Sequence, residues 1–339
     1  MNITLTLTKT KQVSVIDPPL LKAILTVNVL FLVEVIGLCG IAANIMNILN
    51  FRKQGYKDGV NVTLTALAIS DLGALITQQV YIHILNPWSD ESSFVMLKRH
   101  LLLLVIYINE YFVRVSGFVT ACASFERCLC VVLPMKVKFI LTRRVATVVN
   151  ISIFAASIGY VVAPNSILYV GDKFVPDYNR TFAYVYYMDN RAVVMNIFYY
   201  VTALVAPNLT ILMLLLFTVV LITKLKSSSK WRHRVSNPHN RAQTSMNYKE
   251  RNAVAMLAII SGIYVVCLIP RSALNLAVGL VNELKVDGVY VDLTILTYTF
   301  IIIFEALNCS VSSIVYFKMS SKYREMAQDM MPCRRTKQC

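Results

Sequence analysis

Seven long apolar runs are the feature that most limits what this chain can fold into. They lie at residues 22–50, 60–86, 100–133, 144–169, 192–223, 252–281 and 289–317. A helix needs about 20 apolar residues to cross a bilayer, and every run is long enough. The chain is only 15% charged, whereas a soluble domain has about 25%. We therefore predict an all-α membrane protein, a seven-transmembrane-helix bundle whose membrane domain spans 22–317.

Basic residues are distributed unevenly between the two sides of the predicted bundle. Segments 51–59, 134–143, 224–251 and 318–339, with Arg144 at the edge of the fourth run, hold 21 Lys and Arg against four acids. The segments on the other side hold nine against eight acids. By the positive-inside rule the first side is cytoplasmic. With seven spanning helices, residues 1–21 then form an extracellular amino terminus. We expect the protein to lie in the plasma membrane. The excess of basic residues on the cytoplasmic side then faces the anionic inner leaflet of the lipid bilayer, so the net charge of +15 indicates no nucleic-acid partner.

Glycosylation and cysteine positions agree with this topology. Sequons at Asn2 and Asn179 fall in predicted outer segments, and both are expected to be glycosylated. The first 20 residues lack the apolar core of a signal peptide, so the first helix is expected to act as the insertion signal. None of the eight cysteines lies in an outer segment, where the oxidising side would permit a bridge. We therefore expect no disulfide.

The segment after the seventh run has a different pattern. Met319, Tyr323, Met326 and Met330 recur at helical spacing on one face. This pattern predicts a short amphipathic membrane-surface helix in the cytoplasmic tail, 318–339. Cys333, which is followed by two arginines, is a candidate palmitoylation site.

Ionisable side chains within the runs are the main candidates for a ligand site. A charge facing lipid costs about 2.5–3.5 kcal/mol, so such residues face the bundle interior. Glu110 and Arg114 are four residues apart and can pair on one helix. Arg271 follows the Pro270 kink and can either pair with Glu305 of the last helix or bind a ligand. The candidate ligand-binding residues in the outer half are Asn109, Glu110, Arg114, Arg271 and Glu305. Their charges favour a charged or zwitterionic extracellular small molecule, and a short peptide is equally compatible.

A second polar group is predicted near the middle of the membrane. Asp71 lies at a depth similar to that of Ser116, Asn308 and Ser312. One carboxylate among hydroxyl and amide oxygens suits a hard cation such as sodium. A buried, protonated or hydrogen-bonded Asp71 is the alternative.

Six short motifs in chain order carry a resemblance to a known family. They are Gly40-Ile-Ala-Ala-Asn44, Leu67-Ala-Ile-Ser-Asp71, Glu126-Arg127-Cys128, Pro207, Cys267-Leu-Ile-Pro270 and Ser312-Ser-Ile-Val-Tyr316. With them the chain resembles a rhodopsin-like (class A) G-protein-coupled receptor over nearly its whole length. The run 124–136, with Asn308-Cys-Ser, also looks like the chemosensory-receptor branch of gastropod molluscs. The departures are Leu102 for the bridging cysteine, Leu268 for the sixth-helix tryptophan, Ser312-Ser313 for Asn-Pro, and the absent fourth-helix tryptophan.

The resemblance implies a function and roles for several residues. A receptor of this kind catalyses no reaction and promotes nucleotide exchange on a heterotrimeric G protein. Arg127 would be restrained by Glu126 and by Glu250, and released when the sixth helix moves outward. Tyr316 would belong to the same switch, and Asp71 would bind an allosteric sodium ion. No other cofactor is expected, and residues 289–317 contain no lysine for a retinal Schiff base.

Two other functions are compatible with seven helices. A ligand-gated cation channel of the insect odorant type has its amino terminus inside, which the distribution of basic residues opposes. A transporter would be expected to show repeats of broken helices, and none is visible.

Overall fold

The computed structural model describes residues 15–56, 59–84, 95–132, 140–175, 180–234, 241–285 and 288–330. Within these residues seven helices are long and apolar enough to cross a membrane, which confirms the predicted bundle. Their bounds are α1 Pro18–Gln54, α2 Gly59–Ile84, α3 Val95–Val132, α4 Arg143–Asn165, α5 191–234, α6 Arg241–Leu280 and α7 Val291–Met319. A shorter helix, α8, spans Ser321–Met330. Asn2, Asn179 and Cys333 lie outside the described residues.

The outer surface of the bundle is apolar. Large side chains such as Val148, Ile151, Leu212 and Leu216 are each more than 60% exposed. A water-soluble surface rarely carries so much contiguous apolar area. These side chains therefore face lipid, whereas many buried positions are polar, as expected when ionisable and amide groups turn inward.

Two spanning helices contain a π-helical stretch that the sequence analysis did not predict. In α1 it covers Thr26–Val33, and in α5 it covers Tyr200–Val205. Such stretches are rare and widen the helix by one residue per turn, often at functional sites. Both stretches lie in the half of the bundle that contains the cavity described below.

A β-hairpin between α4 and α5 is an addition to the predicted all-α architecture. Strand β1, Leu168–Val175, pairs antiparallel with β2, Arg180–Tyr187. The predicted fourth run, 144–169, was therefore too long, because α4 ends at Asn165 and the apolar residues 167–170 belong largely to β1. We call the end of the bundle that carries this hairpin the hairpin end, and the opposite end the α8 end.

Helix α8 packs against the inner part of the bundle. Tyr323 of the predicted face is buried with Ala327 in a cluster with Phe51 and Tyr316, and Met319 packs against this cluster. The Tyr323 hydroxyl donates to Asn47 Oδ1 at 2.6 Å. Burial raises the pKa of Tyr323, so this hydroxyl stays protonated and remains a donor. The helix is thus held to α1 by a polar contact as well as by packing.

Candidate functional site

A cavity of about 610 Å³ opens between the helices at the hairpin end. All seven spanning helices contribute to its wall, which is mostly apolar and aromatic. The aromatic residues are Tyr81, Tyr107, Tyr160, Phe198, Tyr199 and Tyr298. Its volume is within the range of about 300–1,000 Å³ that is typical of small-molecule sites. The structure therefore offers a substantial concave site at this end.

The five predicted ligand-binding residues all line this cavity. Four of them form a continuous row of opposite charges. Arg114 Nη2 lies 3.2 Å from Glu110 Oε2 on the same helix. Arg271 then pairs through one terminal nitrogen with Glu110 and through the other with Glu305. The row Arg114–Glu110–Arg271–Glu305 therefore joins α6 to both α3 and α7; we refer to it as the charge row.

The sequence left open whether Arg271 pairs with Glu305 or binds a ligand. Arg271 has protein partners on two helices, and the four charges sum to zero. One buried nitrogen on each arginine remains without a hydrogen bond among the described residues, namely Nε of Arg114 and Nε of Arg271. Both nitrogens are enclosed by protein atoms.

The side chain of Asn109, the fifth predicted residue, is hydrogen-bonded within the protein. Its side-chain amide donates to the Ala74 carbonyl at 2.7 Å and to Thr77 Oγ1 at 3.1 Å. These contacts tie α3 to α2 beside the cavity. Asn109 therefore positions the wall as well as lining it.

The π-helical stretch of α5 also shapes the cavity. The Ala203 carbonyl accepts a hydrogen bond from Asn275 Nδ2 at 3.2 Å, and the Tyr199 hydroxyl donates to the Asn275 carbonyl at 2.5 Å. A π-helical turn leaves carbonyls available to partners outside the helix. Here the available carbonyl is met by α6, so α5 and α6 are joined at the cavity wall.

The predicted sodium ligands lie at the middle of the bundle. Ser116 Oγ donates to Asp71 Oδ1 at 2.6 Å, and Asp71 is 2% exposed. Ser116 and Asn308 line a void of about 10 Å³, close to the space that one water molecule needs. Ser312 Oγ is buried and has no hydrogen-bond partner among the described residues. Among the described residues, the structure directly joins only Asp71 and Ser116 of the predicted set, and a small hard cation there would need Asn308 and Ser312 as further oxygen ligands.

The residues of the predicted switch lie at the α8 end, where Glu126 has a hydrogen-bond partner that the sequence did not predict. Glu126 is 4% exposed and accepts a hydrogen bond from Thr63 Oγ1 at 2.8 Å. Asn150 in turn donates to that Thr63 oxygen at 3.1 Å. Arg127 is half-buried, and the ion pairs found among the described residues do not include it. The acid of this motif is therefore hydrogen-bonded to α2, and through Thr63 to α4, while Arg127 acts on it as a nearby positive charge without a direct ion pair among the described residues.

The structure gives less detail for the other two switch residues. Glu250 belongs to α6, and its side chain is outside what the structure describes. Tyr316 is 2% exposed and packs edge-on against Phe51, with ring centroids 5.3 Å apart. Its hydroxyl is buried without a hydrogen-bond partner in the described part of the chain.

Sequence reasoning missed the aromatic wall of the cavity and the partners of Glu126. Thr63 and Asn150 are polar residues inside apolar runs, and that was the available signal. Each is almost fully buried, at 1% and 4% exposure. Neither could be assigned to Glu126 without the relative rotation of α2, α3 and α4.

Comparison with known proteins supports the interpretation of this bundle. No curated protein matches the chain. A family profile described as "Serpentine type 7TM GPCR chemoreceptor Srw" matches residues 29–334, which is most of the chain and includes every spanning helix in whole or in large part. The chain therefore belongs to the Srw family of serpentine seven-transmembrane G-protein-coupled chemoreceptors.

Proposed function

We propose that this chemoreceptor lies in the plasma membrane with its amino terminus outside and binds its ligand in the hairpin-end cavity. The family is one of receptors and not of enzymes, so binding is followed by a conformational change and not by a reaction. The 21 basic residues of the predicted cytoplasmic segments support the orientation. The channel and transporter interpretations gain no support from the family match.

The observation that carries this proposal is the position of Arg271 in the charge row. It follows Pro270 in α6 and pairs with Glu110 of α3 and Glu305 of α7. A ligand in the cavity therefore touches the contacts that fix α6 against its neighbours. A ligand shifts a conformational equilibrium only through contacts that differ between the two states, and this row supplies such contacts.

The partner at the α8 end is a heterotrimeric G protein. The resemblance to rhodopsin-like receptors, and within them to the gastropod chemosensory branch, supports Arg127 as the residue that contacts it. Glu250 would restrain Arg127 before α6 moves, and Tyr316 would repack when it does. Two separated sites that bias one movable element are what allosteric coupling requires.

The test releases α6 from the charge row without leaving a buried charge unpaired. The double variant Arg271→Gln/Glu305→Gln removes one charge of each sign and leaves the Arg114–Glu110 pair intact. We expect ligand-independent nucleotide exchange on the G protein to rise about fivefold or more at matched surface expression.

The matched control is Arg114→Gln, which removes an arginine from the same cavity but breaks only a contact within α3. It should raise basal exchange less than the double variant does at matched surface expression, because Arg271 keeps both of its ion pairs. Adding Arg127→Ala to the double variant should return exchange to the level of untransfected membranes. Equal basal exchange in the double variant and the unaltered receptor would refute the role of the charge row.

A further inference from the structure

A groove of about 400 Å³ lies between α2 and α4 at the α8 end of the bundle. It shares no lining residue with the hairpin-end cavity. Ile69 of α2 and Ile151 of α4 line it and are 44% and 62% exposed. As on the rest of the outer surface, such apolar side chains face lipid. The groove therefore opens sideways into the bilayer.

The groove follows α4 from the first residue of that helix towards the middle of the membrane. The α4 residues that line it include Arg143, Thr147, Ile151 and Phe154. Their spacings of four, four and three residues place them on one face of the helix. With a rise of about 1.5 Å per residue, Phe154 lies about 16 Å from Arg143 along the helix axis. The hydrocarbon part of one leaflet is about 15 Å thick, which is half of the bilayer core. The groove thus has the depth of one leaflet, with Arg143 at its headgroup end.

The polar side chains along the groove use their donors within the protein. Thr65, Thr147 and Asn150 each donate to the carbonyl four residues earlier in the same helix, at 2.6, 2.9 and 2.7 Å. The other lining residues inside the bilayer are apolar, namely Val62, Ala66, Ile69, Ile151 and Phe154. In a membrane such a surface binds a hydrocarbon chain by van der Waals packing.

The headgroup end of the groove carries a positive charge that the described residues do not neutralise. Arg143 is exposed, and the ion pairs among the described residues do not include it. None of the described residues that line the groove is acidic. Tyr56 lines the same end, as expected for a tyrosine at a membrane interface. An arginine without a carboxylate partner at the end of an apolar groove complements a phosphate that carries a hydrocarbon chain.

We propose that the groove between α2 and α4 binds one anionic phospholipid from the leaflet at the α8 end. The headgroup phosphate accepts hydrogen bonds from the Arg143 guanidinium, and one acyl chain lies in the groove against Ala66 and Phe154. Basic pockets between transmembrane helices bind anionic headgroups in this way. A headgroup with a net negative charge is favoured over a zwitterionic one, because no acid among the described lining residues meets an ammonium group.

The first test measures lipid binding by native mass spectrometry of the purified full-length receptor in detergent. The probes are phosphatidylglycerol and phosphatidylcholine with the same acyl chains, cholesterol, and glycerol 3-phosphate as a headgroup without chains. We expect the tightest site to bind phosphatidylglycerol about fivefold or more tighter than phosphatidylcholine. Glycerol 3-phosphate should not displace it. Equal or tighter binding of phosphatidylcholine or cholesterol would overturn the proposal, and so would displacement by glycerol 3-phosphate.

The second test removes the charge at the headgroup end. Arg143→Gln should weaken phosphatidylglycerol binding about fivefold or more and leave phosphatidylcholine binding unchanged. The matched control is Arg144→Gln, because Arg144 is the next residue of α4, is also exposed and does not line the groove. It should change phosphatidylglycerol binding by less than about twofold. If the two variants weaken binding equally, or if Arg143→Gln has no effect, the phosphate is not held at Arg143 and the proposal is wrong.

The third test blocks the apolar part of the groove without changing its charge. Ala66→Phe fills the groove, and Ile151→Trp narrows its opening from an exposed position that leaves the helix packing undisturbed. Both should weaken phosphatidylglycerol binding about fivefold or more. The control is Val148→Trp, since Val148 is 63% exposed on the same helix and does not line the groove. It should bind the lipid as the unaltered receptor does.

The Ile151→Trp variant decides this test if Ala66→Phe lowers the melting temperature of the receptor. Unaltered phosphatidylglycerol binding in Ile151→Trp would show that no acyl chain lies in the groove, which would overturn the proposal. Neither a cavity ligand nor a G protein enters these measurements, so their outcome is independent of the proposed function.

Discussion

Replacing each member of the charge row by Gln gives a ranked prediction about stability. The inner members, Glu110 and Arg271, each have two ion-pair partners, whereas Arg114 and Glu305 each have one. Removing an outer member leaves every remaining charge with a partner. Removing an inner member leaves one outer charge buried without a partner from the row.

The magnitudes follow from this difference. Leaving a buried charge without its partner costs about 3–5 kcal/mol. Losing a charge-assisted hydrogen bond while all remaining charges stay paired costs about 1.5–3 kcal/mol. Arg271→Gln should therefore destabilise the receptor by about 2 kcal/mol more than Arg114→Gln. Both substitutions remove one guanidinium from the same cavity, so Arg114→Gln is the matched control.

The double variant Arg271→Gln/Glu305→Gln should be more stable than Arg271→Gln alone, because it removes the charge that the single change leaves unpaired. Exchanging the two charges between positions 271 and 305 should restore little, since the new carboxylate at 271 would face Glu110. The assay is thermal unfolding of purified receptor, with surface expression as a second measurement. Equal destabilisation by Arg114→Gln and Arg271→Gln would refute the reasoning.

Three further predictions concern other parts of the bundle. Thr63→Val should lower the free energy of unfolding by about 1.5–3 kcal/mol, because the buried Glu126 carboxylate loses its hydrogen bond. Thermal unfolding measures this, and an unchanged melting temperature would contradict it. Tyr323→Phe should lower the free energy of unfolding by about 1 kcal/mol and speed amide hydrogen exchange in Ser321–Met330, because the hydrogen bond to Asn47 is lost while the ring stays. Unchanged exchange would show that this hydrogen bond does not hold α8 to α1. A tag before Met1 should stain on intact cells, and Asn179→Gln should remove a glycosidase-sensitive increment of mass; staining only after permeabilisation would reverse the topology.

Much of the fold could be predicted because the bilayer imposes a length and a polarity on each spanning helix. The seven runs were therefore found, although their ends were less accurate. Ile167, Leu168 and Tyr169 are as apolar as the helix before them, so composition alone did not reveal where α4 ends and β1 begins. The π-helical stretches carry no proline or glycine that would have signalled them.

The candidate site was predictable only where one helix determines it. The Glu110–Arg114 pair follows from a spacing of four residues. The pairing of Arg271 with Glu110 depends on how α3 and α6 are rotated about their axes, which periodicity does not specify. The same holds for Glu126 and Thr63, which lie 63 residues apart on different helices.

The contacts between α3 and α6 differ in strength along the bundle, and this difference indicates where α6 can move. At the hairpin end the helices are joined by the ion pair of Arg271 with Glu110. Towards the α8 end they are joined by the hydroxyls of Ser124 and Ser261, 2.6 Å apart. A neutral hydrogen bond contributes about 0.5–1.5 kcal/mol, whereas breaking a buried ion pair costs about 3–5 kcal/mol. Because α6 is held most strongly beside Pro270, the proposed outward movement would separate it from α3 first at the α8 end. A ligand that alters the charge row therefore acts at the pivot of this movement, and the displacement is largest where the G protein is proposed to bind.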